Sequence, residues 1–200
     1  MKAPVFIAAS VAALLLPSCQ LPPIQEVVRR PIVVQPAQAS QSPLYVWHGG
    51  TRNAPEEAVR RPVYVTIDLS QQKAYIFKDR QNVAWSYVAT GRSGFQTPPG
   101  TYYIKEKIVD KRSNRYGAIV NSNGDVVRSN ATAGVHGGGR FVGAPMPYWM
   151  RLTNYGIGMH AGPIPNPGSP ASHGCIRLPY PMAQRLFAEA PVGTRVNIVP

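Results

Sequence analysis

Two stretches of this chain carry side chains whose types and spacing suit nucleophilic chemistry. Gly158-Met159-His160-Ala161-Gly162 is followed, after a proline-rich loop, by Ser172-His173-Gly174-Cys175-Ile176-Arg177-Leu178. A cysteine with histidines nearby points to covalent catalysis, because the thiolate is the nucleophile and an imidazole can take its proton. An unperturbed thiol with a pKa of about 8.5 is only slightly ionised at neutral pH, and pairing with an imidazolium lowers that value by several units. His173 and Cys175 lie two apart and share a face on an extended segment. His160, at the end of the preceding strand, is the better base, reaching Cys175 across a strand pair. Gly174 frees the backbone so that amides near Cys175 can aim at a developing oxyanion. Two other readings use the same residues. Cys175 can be a buried structural thiol. Alternatively His160, His173 and Cys175 can hold zinc with an open position, although no acidic general base accompanies them.

The elements that must position these groups are mostly strands. From Pro62 onward Val63, Val65, Ile67 and Leu69 alternate with Tyr64, Thr66 and Asp68, a half-buried strand. Ser70-Gln71-Gln72 makes a tight connection to a strand over 74–77, and a third strand covers 83–90. Gly91–Gly94 and Thr97-Pro98-Pro99-Gly100 punctuate the chain before a strand over 102–109. Asn123-Gly124 between apolar pairs is a two-residue hairpin signal. Strands follow over 148–153 and 156–160, and Val196–Val199 closes the domain. Only 181–190 reads as helix, begun by Pro181 and ended by Pro191 and Gly193. The fold class is therefore mostly β (α+β), a sandwich or barrel with one or two short helices. The insertion between Ile108 and Met146 is either a lid or a plain surface hairpin. His136 is a loop residue and His48 a solvated one. The basic run from Lys105 to Arg115 reads as a solvated face.

Composition agrees. The 200 residues hold 44% hydrophobic and 15% charged side chains, enough for one core and too few charges for general disorder. The 21 prolines exclude a long coiled coil or helical bundle. Only two cysteines occur, Cys19 and Cys175, which excludes a disulfide framework, a zinc ribbon and a CxxC redox pair. Lys2 precedes an apolar run from Val5 to Leu16, which has signal-peptide dimensions. Leu16-Pro17-Ser18-Cys19 resembles a bacterial lipoprotein signal, which implies thioether lipidation of Cys19 and attachment to the cell membrane. Ordinary cleavage near Ala37-Gln38-Ala39 is the rival. Residues 1–19 are thus a signal peptide, 20–61 a proline-rich extended spacer, and 62–200 the catalytic domain. The net charge of +12 suggests an acidic partner. Export turns that expectation from nucleic acid towards wall carboxylates and anionic polymers.

His160, then Ser172-His173-Gly174-Cys175-Ile176-Arg177, resembles the signature of the L,D-transpeptidases, the cysteine transpeptidases of bacterial cell walls with the YkuD domain. The resemblance spans residues 62–200, taking in Asp68-Leu69-Ser70-Gln71-Gln72, Thr90-Gly91, Thr97–Gly100 and Gly193-Thr194-Arg195-Val196. It implies that Cys175 is the acylated nucleophile, His160 the proton donor and acceptor, and His173 a supporting group. Amides around Gly174 and Cys175 would form the oxyanion hole. Arg177, Ser172, Gly174, Tyr148 and Trp149 are the candidate substrate contacts; the two aromatics can equally be core. The resemblance further implies peptidoglycan stem peptides as partners, carbapenem-type β-lactams as acylating inhibitors, and neither metal nor organic cofactor. The expected product is a cross-link between stems. A carboxypeptidase, an amidase, a protein-to-wall ligase and an inactive wall-binding module are the alternatives. A monomer located in the periplasm or cell envelope is expected.

Overall fold

The computed structural model describes residues 43–48, 62–134 and 139–200. The signal segment with Cys19, most of the spacer, and His136 lie outside the described residues. In chain order the elements are β1 (Tyr45–Trp47), β2 (Val63–Asp68), β3 (Lys73–Lys78), β4 (Gln81–Tyr87) and β5 (Gly100–Tyr103). There follow β6 (Glu106–Val120), β7 (Val126–Thr132), β8 (Arg140–Arg151), β9 (Gly158–Ala161) and β10 (Ile176–Leu178). The helix α1 (Tyr180–Glu189) and β11 (Arg195–Val199) complete the order. They form a six-stranded sheet, β1-β4-β3-β2-β11-β5, and a five-stranded sheet, β10-β9-β8-β6-β7.

One hydrophobic cluster draws on both sheets and the helix. Val65, Ile67 and Ile76 of the first sheet meet Met150, Met159, Ile176 and Leu178 of the second, and Met182, Ala183 and Leu186 of α1 close it. Alternation explains the choice: β2 reads buried and half-buried in turn along its whole length. The helix starts where Pro181 fits a first turn that needs no amide donor.

Several elements differ from the sequence expectations: the strand expected over 102–109 is split between β5 and β6, β8 begins at Arg140 and not at 148, β10 was not delimited, and β1 and β6 depart furthest. β1 lies inside the stretch read as spacer, pairing Val46 with Trp85 of β4. The Arg185 guanidinium lies 4.3 Å from the Trp47 ring centroid, so three residues too short to show periodicity are held by packing. β6 runs fifteen residues, where a strand ending near 109 was expected. Its outer half is charged and exposed, which hides the period, but pairing with β7 and β8 on its two edges satisfies its backbone. Its register against β8 breaks between Arg112 and Gly117.

Candidate active site

A relay of hydrogen bonds ties the first turn of the domain to the cysteine loop. Asp68 Oδ1 accepts from Ser70 Oγ and the Gln71 amide, closing the β2–β3 turn. The buried Gln72 side chain then reaches Thr90, with Oε1 accepting from the Thr90 amide at 2.9 Å and Nε2 donating to Thr90 Oγ1 at 2.8 Å. The Thr90 carbonyl accepts the amides of Ala171 and Ser172, and Arg92 N–H donates to the Ser172 carbonyl. Gly91 sits where any Cβ would fall 1.8 Å from the Phe95 carbonyl oxygen, so only glycine fits. The Thr97 hydroxyl accepts from Gly91 N–H at 2.9 Å and donates to the Gly174 carbonyl at 2.8 Å. Gly174 itself has φ 111°. The motifs at Asp68–Gln72, Thr90-Gly91 and Thr97 therefore brace the same loop.

Cys175 and His160 lie on one face of the parallel β9–β10 pair and its lead-in. Arg177 lies opposite His160 and Ile176 opposite Met159. Opposed residues of a parallel pair share a face, so Met159 and Ile176 enter the core while His160, Arg177 and Cys175 point the other way. Cys175 then lies beside Gly158, whose amide hydrogen-bonds the thiol. The Cys175 thiol donates to the Gly156 carbonyl at 3.6 Å. A Cβ on Gly158 would strike the Trp149 ring at 2.7 Å. His160 is buried, and its Nδ1–H donates to the Ala161 carbonyl at 2.8 Å. The lone pair of the neutral ring therefore resides on Nε2.

The electrostatics correct one expectation. Burial pushes the Cys175 thiol up, against the opposing pull of the Gly158 amide and Arg177. Burial holds His160 down at about 4, opposed in part by the Ala161 carbonyl, and Arg177 adds a smaller push in the same downward direction. The resting pair is thiol and neutral imidazole, not thiolate and imidazolium, because a desolvated site disfavours both charges.

His173 takes a separate position. Its ring stacks on Tyr116 with centroids 4.3 Å apart and meets the edge of Phe95 at 4.8 Å. Arg92 Nη2 donates to His173 Nε2 at 2.8 Å. A guanidinium has no acceptor, so the contact places the His173 proton on Nδ1. Burial first, then Arg92 and Arg177, holds His173 below its ordinary range. Arg92→Ala is expected to raise the His173 pKa towards 6.5, read from an NMR titration of the ring. An unmoved titration would leave the depression to burial and Arg177.

These groups line one cleft of about 900 Å³ that includes Ser113–Tyr116, Pro145, Met146, Tyr155 and Ile157. The family model for the YkuD L,D-transpeptidase catalytic domain matches residues 62–198. This chain belongs to the YkuD family. No curated protein matches it. The fold is similar to an L,D-transpeptidase from Mycobacterium smegmatis, with a TM-score of 0.55, 19% identity, and coverage of 70% of this chain and 59% of that one. It is also similar to one from Stackebrandtia nassauensis, with 0.51, 22%, 70% and 57% respectively. A cysteine-to-serine mutant of an Enterococcus faecium L,D-transpeptidase gives 0.50, 24%, 69% and 50%. The chain thus spans between half and three-fifths of those chains.

The YkuD domain brings together Cys175, His160, His173, Ser172, Gly174, Arg177 and Trp149 at the cleft. It does not bring Tyr148 there. Tyr148 packs on Tyr180 and Phe187 of α1, while its neighbour Trp149 lines the cleft, since adjacent strand residues part to opposite faces. Ser172 Oγ accepts the Gly174 amide at 3.0 Å and donates to the Cys175 carbonyl at 2.5 Å, so its hydroxyl shapes the loop. That bond also removes the Gly174 amide from the expected oxyanion hole. Among the described residues no three His, Cys, Asp or Glu side chains gather to hold a metal ion. Arg92, Phe95, Thr97 and Tyr116 were not singled out from the sequence. Thr97 and Arg92 sit in turn segments that the sequence marks, without a sign of their partners; Phe95 and Tyr116 carry no local signal, and Arg92 lies 81 residues from its histidine. The hairpin base supplies a wall of the cleft through Tyr116.

Proposed function

We propose that this chain is a peptidoglycan L,D-transpeptidase acting through a thioester on Cys175. The supporting observation is the shared face of His160 and Cys175 on β9–β10, with the imidazole lone pair on Nε2 and the pair opening to the cleft. Cys175 Sγ attacks the carbonyl after the L-centre of diaminopimelate in a donor tetrapeptide stem, and His160 Nε2 takes the thiol proton. The bond to the terminal D-alanine breaks, and its amine leaves with the proton from His160. An amine of a neighbouring stem then attacks the thioester and gives a proton to His160, which returns it to the departing sulfur. A cross-link results. The Cys175 amide is the remaining candidate oxyanion donor, and Arg177 adds positive charge beside it. Incubation with defined muropeptides decides the reaction by product mass. A D-alanine-depleted dimer is expected. A stem merely shortened by one residue would make water the acceptor, and no change would favour a binding module.

The same reading takes the protein to the cell envelope as an exported monomer held by a lipid on Cys19. No helix among the described residues is long and apolar enough to cross a membrane. Cys19→Ala is expected to move the protein from the membrane fraction to the soluble one without altering muropeptide turnover, because Cys19 lies more than forty residues before β2. Several acyl chains give an attachment that one chain does not. A fatty-acid analogue should label the wild type and not the variant; an unlabelled wild type would leave secretion or an uncleaved signal as the better account.

A further inference from the structure

Five basic residues lie between Lys105 and Arg115, four of them on β6 and Lys105 just before it, and the fold divides them. Lys105 Nζ donates to Asn154 Oδ1 at 3.1 Å, Lys107 Nζ to the Phe187 carbonyl at 2.5 Å, and Arg112 Nη1 to the Gly143 carbonyl at 3.2 Å. Lys111 and Arg115 line the cleft instead, one just before the register break and one inside it. Neither has a carboxylate partner among the described residues. Arg151 and Arg177 line the same cleft, which therefore presents four cations and no Asp or Glu. Arg151 is already paired with Glu106 at 2.7 Å, and Arg177 acts on both His160 and Cys175. Arg177 is assigned above to the reacting centre, which leaves Lys111 and Arg115 to meet a ligand away from it; the Arg115 guanidinium lies over the Tyr116 ring at 5.4 Å, a face contact that leaves its N–H edge for hydrogen bonds. Like charges gathered around a concave site repel one another until an anion enters, and they concentrate anions there.

We propose that Lys111 and Arg115 select stem peptides whose carboxylates are free and discriminate against amidated stems. The inference rests on the peptidoglycan reading above. A stem offers carboxylates at its γ-linked glutamate and at the side-chain end of diaminopimelate, and amidation turns each into a carboxamide of nearly the same shape. A guanidinium meets a carboxylate with two parallel charge-assisted bonds. A carboxamide offers one acceptor and turns an N–H₂ donor against the cation. Shape is nearly constant between the two peptides, so charge is what the cleft reads.

The test measures binding of a free-carboxylate and a fully amidated donor tetrapeptide to the full chain carrying Cys175→Ala, with wild-type turnover of both peptides followed in parallel. The free peptide is expected to bind about tenfold more tightly, equivalent to about 1.4 kcal/mol. Adding Lys111→Gln and Arg115→Gln should close that gap by weakening the free peptide alone, and thermal melting shows whether those variants fold. Raised salt should narrow the gap in the same direction, since exposed charges are screened. Equal binding of the two peptides, or a preference that survives the double substitution in a folded protein, overturns the inference. Turnover of both peptides would in that case leave the transpeptidase reading standing. A binding preference without turnover of either peptide supports carboxylate selection and overturns the enzymatic reading.

Discussion

Cys175→Ala is expected to abolish muropeptide turnover and thioester formation while leaving the melting temperature nearly unchanged. Removing an enzyme's nucleophile typically costs about 10⁶-fold in kcat, far more than any other single change proposed for this chain. The structural cost is small because Cys175 is only partly buried and the contact that its thiol donates, to the Gly156 carbonyl, is long at 3.6 Å. The loop is held by bonds that do not involve sulfur: Ser172 to the Cys175 carbonyl, and Thr97 to the Gly174 carbonyl. Mass spectrometry of the protein after exposure to a donor stem should find an adduct on the Cys175 peptide of the wild type only. Turnover retained by the variant would remove Cys175 from the chemistry.

His160→Gln keeps most of the side-chain volume and should lower turnover by about 10²–10⁴-fold, the usual contribution of a positioned general base. The pH dependence of the wild type gives an independent reading of the same group. With burial holding its pKa at about 4, His160 stays a neutral base through mildly acid conditions. Turnover should fall as pH drops through about 4, not through the ordinary imidazole value of 6.5. The unfolded chain binds this proton more readily than the folded one, so stability follows the same direction. The contribution is fully present above about pH 6.5 and is lost as pH falls through about 4, amounting to about 3 kcal/mol. Rate profiles and thermal melts between pH 3 and 8 measure both, and the glutamine variant should show neither limb. An acid limb near 6.5 would mean that His160 is solvated during turnover.

What the sequence made legible was whatever chemistry is local along the chain. Ser172 to Arg177 is one short segment, and the alternation of β2 needs only its own six residues. The relation of His160 to Cys175 was readable as a strand pair, but its parallel sense was not, because direction is decided by the loop path between them. His173 illustrates the harder case. Its partners Arg92, Phe95 and Tyr116 come from three places far from it in sequence, and no spacing rule links a guanidinium to a ring 81 residues away. The expected low thiol pKa failed for a similar reason. The residue types suggested an ion pair, whereas desolvation by the surrounding fold decided for the neutral one. Tyr148 and Trp149 were indistinguishable as aromatics until the packing of α1 separated their faces.

β11 lies inside the six-stranded sheet, parallel to β2 on one side and antiparallel to β5 on the other. Residues 195–199 therefore divide that sheet into two parts that cannot join before they are made. Neither the β1–β4 part nor β5 gains its full ladder during synthesis, and pairing β2 with β11 closes a loop of more than a hundred residues. Folding of this kind is slow and waits for the whole domain. Removal of 195–199 should leave the six-stranded sheet in two unjoined parts, read as loss of cooperative melting.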